Sequence, residues 1–483
     1  MKDPRGSHNK GVRMNMKPKM GILFITSRWF RDVGLQSSSS PLTTEIEEIA
    51  DEIIARFSEF LEPSYHGVIF TEEEARNAAE MIKTQKIDGL IVAPLLWCED
   101  QILRASLKML PKLPLIVCGF FYSESLSNFV SYQEMIKGSS LVGIMQMSGM
   151  INREDYKYET VTGYYRDSEV YEHIKAHCTA LFISQKLKGS KCGVLPFRCD
   201  QMSTTFIDEF TLRKLYGIEL EYIELQCLKK EAHEVSENEI KEFTNLMEGD
   251  GIEIEVDEKN LAVGIKYAIA MEKLIERKEL NILAMNDIIE EMHSCFGMRP
   301  CLSNPRISDL DVVINMEADI AAGVAMYILK LFTANAPFYA ELFTADLNEN
   351  AFLMGHPGYH DYRNRDDNYP VRIIPDVEYE NSDPFSGAST YFKYKSGPIT
   401  VVNSVYNGER IRWTVFEGYS LEGPPKMEGS CHLFCKIDMP IQDFCKKTVQ
   451  LGVSQHWIVL PGHIISKLKS LCSWLGIEYI PIP

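Results

Sequence analysis

Four residues of this chain are of the types that together hold a hard divalent cation: Glu317, Asp346, His356 and His456. Glu317 follows a β-type apolar run (Val312, Val313, Ile314) and precedes a helix-like stretch, Ala318 to Phe332. Asp346 and His356 end two further short apolar runs, in Thr344-Ala345-Asp346 and Leu353-Met354-Gly355-His356-Pro357-Gly358. Carboxylates on strand ends, joined by one or two imidazoles from other elements, suit Mn2+ or Mg2+, with Co2+ as a substitute. Read singly, each has a structural role open to it. Glu317, and more readily Asp319, can complement a helix N-terminus; Asp346 can begin a turn with Asn348 and Asn350; His356 can be a satisfied loop histidine. Their order, on the expected kinds of element, favours the joint reading.

The elements that must position these groups divide the chain in three. With 483 residues, 45% of them hydrophobic, there is ample core for several domains. Residues 1–19 are polar and basic without an apolar segment, and read as a disordered lead or tag rather than a secretory signal. From Met20-Gly21-Ile22-Leu23-Phe24-Ile25 onward, apolar runs alternate with helical periodicities: a helix near Thr43 or Thr44, another over Glu72 to Lys86, a strand Gly89 to Ala93, a helix Glu99 to Met109, a strand Leu113 to Cys118. Alternation of this kind implies a parallel sheet covered on both faces. It restarts after the helix expected over Glu169 to Lys188, with strands at Gly193 to Phe197 and Leu280 to Met285. The acidic stretch from Ser236 to Lys259 reads as a solvated face and loop. After about residue 337 helical periodicity almost disappears, and Asn407-Gly408 between two β-rich runs signals a hairpin. The expected fold is α/β: two Rossmann-like α/β domains (20–165 and 166–336) followed by a mainly antiparallel, barrel-like β domain (337–483).

A formal charge of -18 argues against nucleic acid as partner. No apolar run approaches the ~18 residues that span a bilayer. Twelve cysteines without paired spacing, of which Cys192/Cys199 and Cys431/Cys435 come nearest to a motif, fit a reducing compartment better than a zinc site, so a cytoplasmic enzyme is expected. The first domain has no GxGxxG, and no dinucleotide is implied.

The run Arg299-Pro300-Cys301-Leu302 to Ile314-Asn315-Met316-Glu317-Ala318-Asp319-Ile320, the motif ending in His356-Pro357-Gly358, and the closing Leu451-Gly452-Val453-Ser454-Gln455-His456-Trp457 resemble the L-fucose isomerase and L-arabinose isomerase superfamily, in sequence order from about residue 20 to the end. The resemblance implies aldose–ketose isomerisation at a divalent metal, most often Mn2+. It implies Glu317 and Asp346 as the paired carboxylates, acid/base and ligand at once, with His356 and His456 as the imidazole ligands. It also implies a homo-oligomer, a trimer or hexamer, with the site near subunit interfaces. Three positions depart from the family pattern: Pro357, Gln455 before His456, and Arg28-Trp29 where arabinose isomerases present a Gln. The last directs attention away from a neutral pentose. Arg28, Trp29, Gln146 and Arg198 lie near loops that can face a sugar, and guanidinium groups suit an aldose with an anionic terminus such as a sulfonate or acid.

Moving a carbonyl from C1 to C2 requires a proton to leave one carbon and reach its neighbour, with enediolate charge stabilised between. A divalent cation supplies that stabilisation, and two carboxylates can act as base and acid by turns, their environments pushing their pKa values apart. Two other classes compete: a non-catalytic sugar-binding or sensor protein, built on the same tandem α/β layout, and a metal-dependent sugar aldolase or hydrolase using the same ligands.

Overall fold

The computed structural model describes residues 17–33, 42–126, 128–379 and 385–483, and the chain divides into two compact units at Gln185 and Lys186. The polar lead expected over residues 1–19 falls, up to residue 16, outside the described residues.

In the first unit five parallel strands lie in the order Glu62–Ser64, Lys19–Ile25, Gly89–Pro94, Leu115–Phe121, Tyr158–Tyr164. The three central ones are apolar almost throughout because helices cover both faces. Those helices start and stop where the sequence signals them. Thr71 and Glu74 form a capping box at Glu72–Lys83, and the neighbouring helices are Leu42–Phe60 and Asp100–Leu107.

The second unit holds a four-stranded parallel sheet and a barrel. The sheet runs Val313–Met316, Ile282–Met285, Lys191–Leu195, Glu219–Tyr222. Ligands of such sheets sit beyond the carboxyl ends of the strands, and here two neighbouring ends deliver Asp287 and Glu317. The acidic stretch expected as a loop instead contains the helix Glu237–Gly249, held by a second capping box (Ser236 with Glu239) and by the buried Phe243 and Met247. Its many carboxylates lie on the exposed faces of a helix whose few apolar residues suffice to dock it.

From Phe338 onward six antiparallel strands close on themselves: Gly397–Tyr406, Trp457–Pro461, Phe338–Asp346, Ala351–His356, Cys431–Lys436 and Ile411–Ser420, which pairs back to the first. The period of two decides what fills the core, with Phe338 and Ala340, Phe352 and Met354, Trp457 and Val459 from successive strands in one cluster. Asn407-Gly408 makes the expected hairpin, Gly408 at φ +97°. One helix, Ile441–Leu451, interrupts the β region where none was expected, and its Phe444 packs on Phe416, Phe352 and Trp457. Sheet membership changes between Met316 and Phe338, and we propose 165/166 and 336/337 as boundaries of folding domains.

Phe444, 1% exposed, fastens this helix to the barrel. Phe444→Ala is expected to lower unfolding free energy by about 3–5 kcal/mol, measured by urea denaturation; a loss below about 1 kcal/mol would show that the helix is not held this way.

Candidate metal centre

The strand Val313–Met316 and the helix Ile320–Thr333 are joined by a junction in which Glu317 and Ala318 have φ of +58° and +49°. Two consecutive side-chain-bearing residues in the left-handed region cost about 1–3 kcal/mol each. The surroundings hold the turn: the Glu317 amide donates to Asp287 Oδ1 at 2.8 Å, and the Ala318 amide to Met285 O at 2.9 Å. The turn aims the Glu317 carboxylate toward two histidines of the barrel. Its Oε2 lies 2.8 Å from His456 Nε2 and its Oε1 3.6 Å from His356 Nε2.

Asp319 serves two purposes. Its Oδ1 accepts from the Ala322 amide and so caps the helix, while its Oδ2 accepts from His456 Nδ1 at 2.8 Å. That hydrogen bond places a proton on Nδ1, so Nε2 faces Glu317 and needs either a second proton or a cation. Burial opposes charge on His456, but the hydrogen bonds to Asp319 and Glu317 prevail and push its pKa up to about 9. Burial likewise disfavours the Glu317 anion, and the neighbouring imidazoles of His356 and His456 override it and hold the carboxyl well below the ordinary range.

His356 Nδ1 donates to Pro357 O at 2.5 Å, which leaves Nε2 as the basic nitrogen. That atom is buried, has no hydrogen-bond partner and points at a carboxylate oxygen. An acceptor facing an acceptor in a buried place calls for a positive charge between them. Among the described residues, Glu317, His356 and His456 form a group whose ligand atoms all lie within 4.8 Å of one another, and the donor set of two imidazoles and a carboxylate fits a divalent cation. Outer contacts fix the imidazoles, as is usual at such sites. Besides Asp319 on His456, the buried His360 donates from Nε2 to the His356 carbonyl at 2.6 Å, and Tyr339 lies against both rings at 4.8 and 4.7 Å. Burial takes His360 down to about 3, so it stays neutral.

Asp346 is not part of this group. The strand Phe338–Asp346 continues past the centre into a hairpin, where the Asp346 carboxylate accepts the amides of Asn348 and Glu349. On the same strand, five residues earlier, Glu341 shares a face with Tyr339, whose ring packs on both imidazoles, opposite the core residues Phe338 and Ala340. Burial raises the Glu341 carboxyl, the imidazoles of His356 and His456 oppose the rise, and Glu317 adds to it. Sequence reading missed Glu341 because it sits inside an apolar strand rather than at its end; the alternation Tyr339, Glu341 was the available signal.

Of the residues expected to contact a sugar, Arg198 belongs to the second unit. Its carbonyl accepts from Asn286, next to Asp287, and its guanidinium pairs with Asp200 and covers the Phe206 ring. Arg28, Trp29 and Gln146 belong to the first unit, beyond the carboxyl ends of its strands. There Gln146 accepts from Trp97 Nε1 at 3.0 Å, and Trp29 and Trp97 line an open apolar cavity of about 670 Å³.

Fold and site together define a protein of parallel α/β layers and a closed barrel, with a buried carboxylate–imidazole group able to hold a cation. No protein-family model matches the chain. It is similar to the sulfoquinovose isomerase of Alkalicoccus urumqiensis, 19% identical over 348 residues, which cover 71% of this chain and 76% of that protein. Among the described residues, no helix is long and apolar enough to cross a membrane.

A cation entering this group displaces the proton that His456 carries up to about pH 9. Since that pKa lies above the ordinary value, protonation competes below it and ceases above it. Apparent Mn2+ affinity is therefore expected to rise by up to about tenfold per pH unit from pH 7 to 9 and then level off. Titration calorimetry in buffers of differing ionisation enthalpy checks this, and binding without proton release would contradict it.

Proposed function

We propose that this protein is a metal-dependent aldose–ketose isomerase that moves a carbonyl between C1 and C2 of a sugar. The observation that carries this reading is the buried group Glu317, His356 and His456, with the unpartnered Nε2 of His356 facing a carboxylate and with Glu341 beside it. Similarity to an enzyme named as a sulfoquinovose isomerase supports the same reaction class.

Glu317, His356 and His456 would hold the cation, with Mn2+ the first choice and Co2+ or Mg2+ alternatives. When bound, it supplies Lewis-acid stabilisation of negative charge on the sugar oxygens. The chain's own carboxylates divide the remaining work. Glu317 is kept ionised by two imidazoles and suits a ligand; Glu341, whose carboxyl is raised, suits the proton carrier that takes the C2 proton of the aldose and returns it to C1. Glu341 thus takes the part that the sequence reading placed on Asp346. Tyr339, fully buried against both imidazoles, keeps water from that side.

The proposed substrate is an aldose with an anionic terminus, sulfonated or acidic. The relative's name supports it, as do the guanidinium groups of Arg28 and Arg198, which with Trp29 and Gln146 are the proposed sugar contacts. A cytoplasmic homo-oligomer, trimer or hexamer, belongs to the same proposal; the exposed apolar side chains Met135, Leu141, Val142 and Met145 of the first unit support association.

The test is incubation of Mn2+-loaded protein with neutral and anionic aldoses in deuterated water. Ketose formation with deuterium at C1, and deuterium at C2 of the re-formed aldose, is expected, most efficiently for an anionic aldose. Glu341→Gln should lower kcat by about 10²–10⁴-fold, while Asp346→Asn should stay within about threefold of wild type, as expected for a turn residue outside the buried group. Cleavage products would indicate an aldolase, and binding without exchange a sensor; either would overturn the reading.

A further inference from the structure

A chain of buried charges, Asp287, Arg299 and Asp376, stands behind the Glu317 turn. Asp287 follows the strand Ile282–Met285, is 0% exposed, and gives one carboxylate oxygen to the Glu317 amide and the other to Arg299 Nη1 at 3.2 Å. Arg299, 2% exposed, binds Asp376 through two parallel hydrogen bonds, Nε to Oδ2 at 2.8 Å and Nη2 to Oδ1 at 2.7 Å, and its Nη1 also lies 2.5 Å from Glu378 Oε2. The bidentate pair fixes the orientation of the guanidinium, and the guanidinium fixes that of Asp287. If this chain served only to offset buried charge, both oxygens of Asp287 could face Arg299. Instead one is directed at the single amide whose residue combines a left-handed backbone with a place in the buried group.

We infer that Asp287, backed by Arg299 and Asp376, is a positioning residue that holds the Glu317–Ala318 turn left-handed and thereby points the Glu317 carboxylate at His356 and His456. This rests on the reading of that group as a cation site. The backbone conformation is the object being held, so making it intrinsically easier should compensate for losing Asp287. Glycine adopts the left-handed region readily, and Ala318, 0% exposed, carries only a methyl group to remove.

Mn2+ binding to the whole chain, measured by titration calorimetry, provides the test. Asp287→Ala is expected to weaken binding by about 10–100-fold, the usual effect of losing an outer contact at a metal site. Ala318→Gly alone should bind within about twofold of wild type, and Asp287→Ala with Ala318→Gly should recover at least about threefold of the loss, a coupling expected only of sites sharing one element. Asp287→Ala binding like wild type, or a loss that Ala318→Gly leaves untouched, overturns the inference, since a general loss of stability would not be repaired at residue 318. If Asp287→Ala does not fold, Arg299→Lys, which keeps the charge and loses the bidentate hold, should weaken Mn2+ binding at least about threefold; unchanged affinity would overturn the inference. Wild-type protein that binds no Mn2+ would refute the cation reading instead. In that event hydrogen exchange of metal-free protein decides on the clamp: residues 313–320 should exchange at least about tenfold faster in Asp287→Ala, or in Arg299→Lys, with the barrel unchanged, and equal rates would overturn it.

Discussion

The centre depends on one imidazole held between two carboxylates. His456 precedes the barrel strand Trp457–Pro461, and its two ring nitrogens meet Asp319 and Glu317, which come from the same strand-to-helix junction of the parallel sheet. For both contacts to exist, the junction must turn back within two residues, and this is where the left-handed pair Glu317 and Ala318 falls. A helix begun directly from the strand would carry Asp319 to the same cap and leave Glu317 without that geometry. The local strain is therefore coupled to the tertiary contact: the barrel supplies the histidines, and the sheet supplies a backbone bent to meet them.

The environment separates the two carboxylates that face this place. Glu317 has an imidazole beside each oxygen, His456 hydrogen-bonded to Oε2 and His356 3.6 Å from Oε1, and stays ionised. Glu341 feels the same imidazoles more weakly, with burial and the Glu317 charge against it, and its carboxyl is raised. One residue type in two settings can thus supply a permanent anion and an exchangeable proton, a division that suits the proposed proton transfer. Around them Tyr339 and the neutral His360 are polar groups that carry no charge of their own, so the charged members are few and directed at one another.

Much of the scaffold was legible because it follows from local pattern. The three central strands of the first sheet, the helix Glu72–Lys83 and the Asn407-Gly408 hairpin lie where apolar period and turn residues place them. Local pattern also misled. The acidic stretch around Glu237 to Glu248 is a helix, because a capping box and two buried apolar residues outweigh a charged surface. The helix Ile441–Leu451 escaped notice because its core side, Ile441, Phe444 and Thr448, is short and set among β-rich runs. Asp346 and Glu341 show the limit most directly, since both are acidic residues on one strand and only the alternation with Tyr339, which packs on both imidazoles, distinguishes them.

By itself, the sequence determined the class and order of most elements, because periodicity and turn chemistry are properties of short segments, and the resemblance its motifs carry pointed to three members of the centre, Glu317, His356 and His456. Tertiary structure alone decided that Asp319 links a helix cap to His456, that Asp287 and Arg299 stand behind the Glu317 amide, and that Glu341 rather than Asp346 faces the imidazoles. Each of these rests on residues that the fold brings together. The pairing of the parallel strands and the closing of the barrel set such neighbours, and residue type alone leaves them open.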